Sequence, residues 1–184
     1  MRILLIRHGD PDYVNDTLTK KGCREAELLA QRAIHLNLGD CYMSPLGRAQ
    51  HTAKPCLEAV GCEAKTLEWL QEFPAQLDIN KAPELAVVYP DVSKNEQGYL
   101  PRIVWDMMPE YLTEHNEYMD RIAWRESLVA QCSDMVEVYD TVIKEFDAFL
   151  AQYGYVRENG HYHVEKESTE TITLFCHFGL IGVL

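Results

Sequence analysis

The opening of the chain alternates short apolar runs with helix-periodic stretches, and that order leaves few folds open. The segment 2–6, apolar from Ile3 to Ile6, ends at Arg7 and suits a strand buried on both faces. After a polar loop from Asp10 to Thr17, Thr19 can cap a helix over 20–36, where Ala26, Leu29, Ala30, Ala33 and Leu36 recur at helical spacing. Gly39-Asp40 breaks the chain before a second strand, Cys41-Tyr42-Met43. Ser44 and Pro45 suit the N-cap and first position of a helix over 45–60 that Gly61 ends, and residues 64–67 give a third strand. Strands and helices in this order require crossover connections, so the sheet is parallel and helices cover its faces.

The alternation stops near Glu72. Residues 74–131 carry five prolines and many aromatics, which reads as a mostly helical insertion packed over the sheet as a lid. A long helix is expected over 132–153, with Gly154 ending it. Asn159-Gly160, set between Tyr155-Val156 and Tyr162-His163-Val164, signals a hairpin. Thr171 to Cys176 is a last strand, and Phe178-Gly179 opens a helix. The expected fold is a single α/β domain over 1–184: a three-layer α/β/α sandwich with a mostly parallel sheet, a helical lid at 74–131 and a small hairpin. The chain stops at Leu184 inside an apolar run, so a C-terminal helix is expected to be missing from the sequence.

A formal net charge of −12 argues against broad binding to nucleic acid or an anionic membrane, both of which need a basic face. No window approaches the roughly 18 apolar residues of a membrane span. The apolar start is too short for an export signal and is interrupted by Arg7-His8, so the expected location is cytoplasmic. The six cysteines form no Cys-x-x-Cys pair, which speaks against a zinc or thioredoxin-like site and for free, mostly buried thiols.

The chemistry concentrates after the strands. Arg7-His8-Gly9, Ser44-Pro45-Leu46-Gly47-Arg48 and His177-Phe178-Gly179 each place a basic or imidazole side chain just past a strand. In parallel sheets, ligands bind outside the carboxyl ends of the strands, so the three segments converge on one rim. Two guanidiniums and two imidazoles suit a phosphoryl group. Arginine's planar fork binds phosphate oxygens and stays charged, while neutral imidazole is a nucleophile. The leaving oxygen needs a proton, and Glu72 sits just past the third strand on the same rim. A cysteine-dependent phosphatase loop does not fit: Cys176 has no arginine after it, and Pro45 lies between Cys41 and Arg48.

These segments resemble the histidine phosphatase superfamily, in its phosphoglycerate mutase-like branch. The matching stretches are Leu4-Leu5-Ile6-Arg7-His8-Gly9-Asp10, Leu18-Thr19-Lys20-Lys21-Gly22, Ser44 through Ala53, Leu70-Gln71-Glu72-Phe73 and Cys176-His177-Phe178-Gly179. The resemblance implies that His8 attacks phosphorus and becomes phosphohistidine, that Arg7, Arg48 and His177 surround the phosphoryl oxygens, and that Glu72 protonates the leaving group and then helps activate water. It implies no metal and no cofactor. Asn15, in the loop after the first segment, and Gly9 are assigned to substrate binding. Asp10 departs from the family, which usually has Glu there. Of the other histidines, His51 reads as exposed or structural, and His161 and His163 as a solvated strand face.

The expected activity is hydrolysis of a small phosphomonoester through phosphohistidine. Alternatives are a mutase, which returns the phosphoryl group to a second hydroxyl, and a phosphate-sensing protein without turnover. The expected partner is a small phosphorylated metabolite or inorganic phosphate, with no nucleic acid and no membrane. A homodimer is left open.

Overall fold

The expected alternation folds as a four-stranded, all-parallel sheet. The computed structural model describes all 184 residues, in two compact units: Met1–Phe73 with Val142–Leu184, and Pro74–Thr141. In the first unit the principal elements are β1 (Arg2–Arg7), α1 (Lys20–Ala33), β2 (Asp40–Met43), α2 (Gly47–Val60), β3 (Ala64–Thr66), α3 (Met135–Ala151, which begins in the other unit), the hairpin β4 (Tyr155–Glu158) and β5 (His161–Val164), β6 (Thr171–Cys176) and α4 (Phe178–Val183). The strand order is β1-β6-β2-β3.

The last strand is therefore central, and every residue of β6 is buried. Strand β1 lies at the sheet edge and is partly exposed, not buried on both faces as its apolar run suggests, because it has a ladder partner on one side only. Side chains alternate across the sheet. Ile172, Leu174 and Cys176 pack with Val142, Phe146, Phe149 and Leu150 of α3. On the opposite face Phe175 packs with Ala30 and Ala33 of α1 and Ala53 and Cys56 of α2. This gives the three layers.

Several boundaries shift for local reasons. Thr19 caps α1 by accepting from the Gly22 N–H at 3.1 Å. The helix ends at Ala33 rather than residue 36, and its last turn tightens: the N–H groups of His35 and Leu36 donate to the carbonyls of Arg32 and Ala33. Helix α2 starts at Gly47 rather than Pro45, because Leu46 is still extended, with φ −76° and ψ 134°, and takes the N-cap position. Asn159 and Gly160 adopt φ of 48° and 83°, the left-handed pair that a two-residue hairpin turn requires.

The second unit has its own core of Leu77, Ile79, Leu85, Val88 and Val129. It runs to Thr141 rather than residue 131 and is less helical than expected. Before the start of α3 at Met135, prolines and polar breaks limit it to short helices at Pro109–Glu114 and Leu128–Gln131, 3-10 segments of three to six residues, and two-residue ladders that pair Gln76–Leu77 with Arg102–Ile103 and Lys94–Asn95 with Gly98–Tyr99. No helix of the protein is long and apolar enough to cross a membrane.

Candidate active site

Strand register builds the site. Arg7 pairs with Cys176, and Phe175 with Met43, so the three strands end at nearly one level. The next residues, His8, His177 and Ser44, leave the sheet side by side. The His8 and His177 rings lie 5.1 Å apart, centroid to centroid.

The His8 N–H donates to the Cys176 carbonyl at 3.1 Å, which pins the backbone. Its ring Nδ1 lies 2.8 Å from the Gly9 carbonyl oxygen. A carbonyl only accepts, so this contact assigns the proton to Nδ1 and leaves Nε2 with its lone pair. Nε2 is buried and has no protein partner. Burial lowers the His8 pKa most. The Gly9 contact opposes that, and Arg48 and Arg7 lower it further.

His177 is fully buried, and its Nε2 lies 2.8 Å from Ser44 Oγ. Burial, then the charge of Arg48 and the neighbouring His8, push its pKa down to about 3. Its Nδ1 is 3.8 Å from Glu72 Oε2, an ion pair only if the ring is protonated. A pKa that low leaves the ring neutral, so the contact with Glu72 is proximity and not a salt bridge. Glu72 is held from the other side, since Oε1 accepts the Gly179 N–H at 2.9 Å in the first turn of α4.

Arg48 is buried at the start of α2, with its guanidinium carbon 5.4 Å from the centre of the Tyr13 ring and its Nε without a protein partner. Arg7 is exposed at the end of β1, 5.6 Å from the centre of the Phe178 ring. His8, Arg7, Arg48, Glu72 and His177 therefore gather at one strand-end rim. Asn15 is engaged elsewhere: its side-chain amide donates to Asp12 at 2.8 Å in an exposed turn. The Gly9 N–H is also taken, by Thr52 Oγ1 at 3.0 Å. Glycine is needed at position 9 for another reason, as a Cβ there would meet the Gly22 carbonyl oxygen at 2.9 Å. His51 bonds Thr17 at 2.7 Å, and His161 and His163 are exposed on the hairpin.

Two residues of the site were not legible as such. Ser44 reads as a helix cap, yet its hydroxyl serves His177 and accepts the Leu46 N–H at 3.1 Å. The available signal was its position directly after a strand, level with His8 and His177. Asp16 gave no signal beyond its turn-forming type. Its carboxylate accepts from Arg48 Nη1 at 2.7 Å and from the Gly47 N–H at 2.6 Å. Asp16, rather than Asn15, is thus the side chain by which the loop after Arg7-His8-Gly9 reaches Gly47 and Arg48.

The cluster can receive a tetrahedral anion. It offers two guanidiniums, a neutral imidazole with a buried, unpartnered Nε2, a second imidazole and a carboxylate. The ligand atoms of His8, Glu72 and His177 also lie within 4.8 Å of one another, a spacing that a divalent cation accepts. Arg48 lowers the pKa of both imidazoles, and the same positive field disfavours a cation there.

Comparison with known proteins gives the family and the fold. The family model for the histidine phosphatase superfamily (branch 1) matches residues 3–95, just over half of the chain. Over 72 residues the chain is 33% identical to a Cronobacter sakazakii protein named "Probable phosphoglycerate mutase GpmB", a match covering 34% of this chain and 34% of that one. An Enterobacter protein of the same name is 32% identical over 72 residues. The match thus spans about a third of the length of these curated relatives. Among solved structures, mycobacterial hydrolase 1 aligns with a TM-score of 0.54 at 18% identity, over 100% of this chain and 78% of its own. A phosphoserine phosphatase mutant from Entamoeba histolytica in complex with phosphoserine gives 0.52 at 18% identity, covering 98% and 76%. The alpha-ribazole phosphatase of Shigella flexneri gives 0.50 at 18% identity, covering 98% and 76%. At these identities the likeness is one of fold.

Proposed function

The chain belongs to the histidine phosphatase superfamily (branch 1), and from that premise we propose that it is a metal-independent phosphatase that hydrolyses a small phosphomonoester through a phosphohistidine on His8. The observation that carries this reading is the seating of His8, with Nδ1 2.8 Å from the Gly9 carbonyl oxygen, which assigns the proton to Nδ1, and a buried Nε2 free of protein partners. A neutral imidazole held this way is nucleophilic without needing a base.

In the first step Nε2 forms a bond to phosphorus as the ester P–O bond breaks. The imidazole gains positive charge, which the Nδ1–H···O=C contact stabilises. Arg7, Arg48 and His177 hold the phosphoryl oxygens, and Glu72 in its acid form gives its proton to the leaving oxygen. In the second step the Glu72 carboxylate takes a proton from water, the water oxygen attacks phosphorus and the P–N bond breaks. Inorganic phosphate, neutral His8 and protonated Glu72 result.

A mutase shares the first step, and the name of the curated relatives favours keeping it as the second reading. There the phosphoryl group returns to a hydroxyl instead of to water. The six free thiols favour a reducing cytoplasm as the setting.

The test is release of phosphate from p-nitrophenyl phosphate at mildly acidic pH in the presence of a chelator. Activity should persist with chelator and vanish in His8→Ala. Activity that survives His8→Ala, or that requires a divalent metal, contradicts the proposal. A panel of phosphorylated metabolites separates the readings: free phosphate indicates the phosphatase, an isomerised ester the mutase.

A further inference from the structure

Asp16 is a second carboxylate, besides Glu72, at a site that gathers two guanidiniums and two imidazoles. Its side chain is 42% exposed and that of Arg48 only 9% exposed, so Asp16 could remain solvated at little cost. Instead the backbone is arranged to deliver it. Asp16 takes a left-handed φ of 46°, a region that costs a non-glycine residue roughly 1 kcal/mol. Its partner Gly47 has no room for a side chain, since a Cβ there would stand 2.3 Å from the Asp16 carbonyl oxygen. Two positions give up ordinary backbone or side-chain freedom so that one carboxylate reaches the first turn of α2 and the Arg48 guanidinium together.

The consequence lies in how an arginine fork is used. Asp16 Oδ1 takes Nη1 of Arg48 at 2.7 Å, while the buried Nε has no protein partner. A guanidinium is rigid and planar, so fixing one nitrogen fixes the direction of the others. Resting on the phosphoryl reading of this site, we propose that Asp16 is the positioning residue for Arg48: it holds Nη1 so that the Nε edge is presented to the phosphoryl oxygens before substrate arrives.

A carboxylate that served only to cap α2 would affect stability and leave phosphate binding by the folded protein unchanged. The experiment compares wild type, Asp16→Asn, Asp16→Ala, Arg48→Ala and the double variant Asp16→Ala/Arg48→Ala. Inorganic phosphate affinity is measured by calorimetry, kcat and KM with p-nitrophenyl phosphate, and Tm by circular dichroism. Asp16→Ala should weaken phosphate binding and raise KM by about tenfold, the scale of one charge-assisted hydrogen bond, with kcat changed less. Asp16→Asn keeps an acceptor oxygen and should stay within about threefold of wild type. In the Arg48→Ala background, Asp16→Ala should have almost no further effect on phosphate affinity. Phosphate affinity equal to or tighter than wild type in Asp16→Ala overturns the proposal, as does an equal loss with and without Arg48. If wild type neither binds phosphate nor hydrolyses the ester, the reading of the site itself fails. If wild type does both and Asp16→Ala behaves like it, only the role of Asp16 fails.

Discussion

The two site imidazoles differ in which nitrogen the protein claims, and that sets how each responds to pH. Both have pKa values below the ordinary 6.5, in each case chiefly through burial. For His8 the consequence is kinetic: the neutral, nucleophilic form persists below pH 6.5. The acid limb of kcat/KM should therefore fall below that value, and a limb at or above 6.5 contradicts the burial argument. For His177 the consequence is also thermodynamic. The folded value is about 3, so between pH 6.5 and 3 the unfolded chain binds the proton that the folded chain does not. Stability is then present above pH 6.5 and is lost as pH falls, by about 1.4 kcal/mol per unit. Tm should drop by roughly 3 °C or more per unit below pH 6, and less steeply in His177→Asn. Asp10, Asp12 and Asp16, whose values are lowered, contribute only below their ordinary 3.8, so a scan from pH 6.5 to 4.5 isolates the histidine effect. At this scale the sequence revealed the charged and imidazole residues, because their chemistry is rare at strand ends. It did not reveal Ser44 or Asp16. A serine before Pro45 has an equally good use as a cap, and an aspartate in a polar loop looks solvated until the loop's path is known.

At the scale of elements, the site depends on strands ending level and on loops passing close to helix starts. Glycines mark those approaches. Gly47→Ala forces a methyl group against the Asp16 carbonyl and should displace the loop, lowering both Tm and kcat/KM. Gly61 is a useful contrast: its φ is 73°, but nothing lies within 4 Å of an added Cβ. Gly61→Ala should cost only the left-handed backbone penalty, about 1 kcal/mol, and leave kcat/KM unchanged. Equal losses of activity in the two variants, read by steady-state kinetics and thermal melts, contradict this account. Ser44→Ala leaves His177 Nε2 buried without its partner and should cost about 1–3 kcal/mol in urea unfolding. The alternation of strands and helices was legible because each element carries its own period. Strand order was not: the apolar run of β1 looks as buried as β6, yet β1 takes the edge and β6 the centre.

For the whole molecule, the division into two units predicts uneven stability. The first unit is built on a sheet whose central strand β6 is buried along its whole length. The second is assembled from short turns and two-residue ladders around a smaller core. Amide hydrogen exchange should be slowest in Thr171–Cys176 and faster across Pro74–Thr141, and uniform protection contradicts that picture. The sequence marked where this unit begins, since the alternation stops near Glu72. It overstated the helix content, because the prolines of this segment allow only short helices of six residues or fewer before Met135. The central claim concerns the bond that forms at His8 during turnover. Mixing the protein with an excess of 32P-labelled phosphate ester, quenching with alkali and mapping the labelled peptide tests it most directly. The expected result is an alkali-stable, acid-labile phosphoryl group on His8 that is absent in His8→Ala. Label on another residue, or ester hydrolysis with no labelled protein at any quench time, contradicts it.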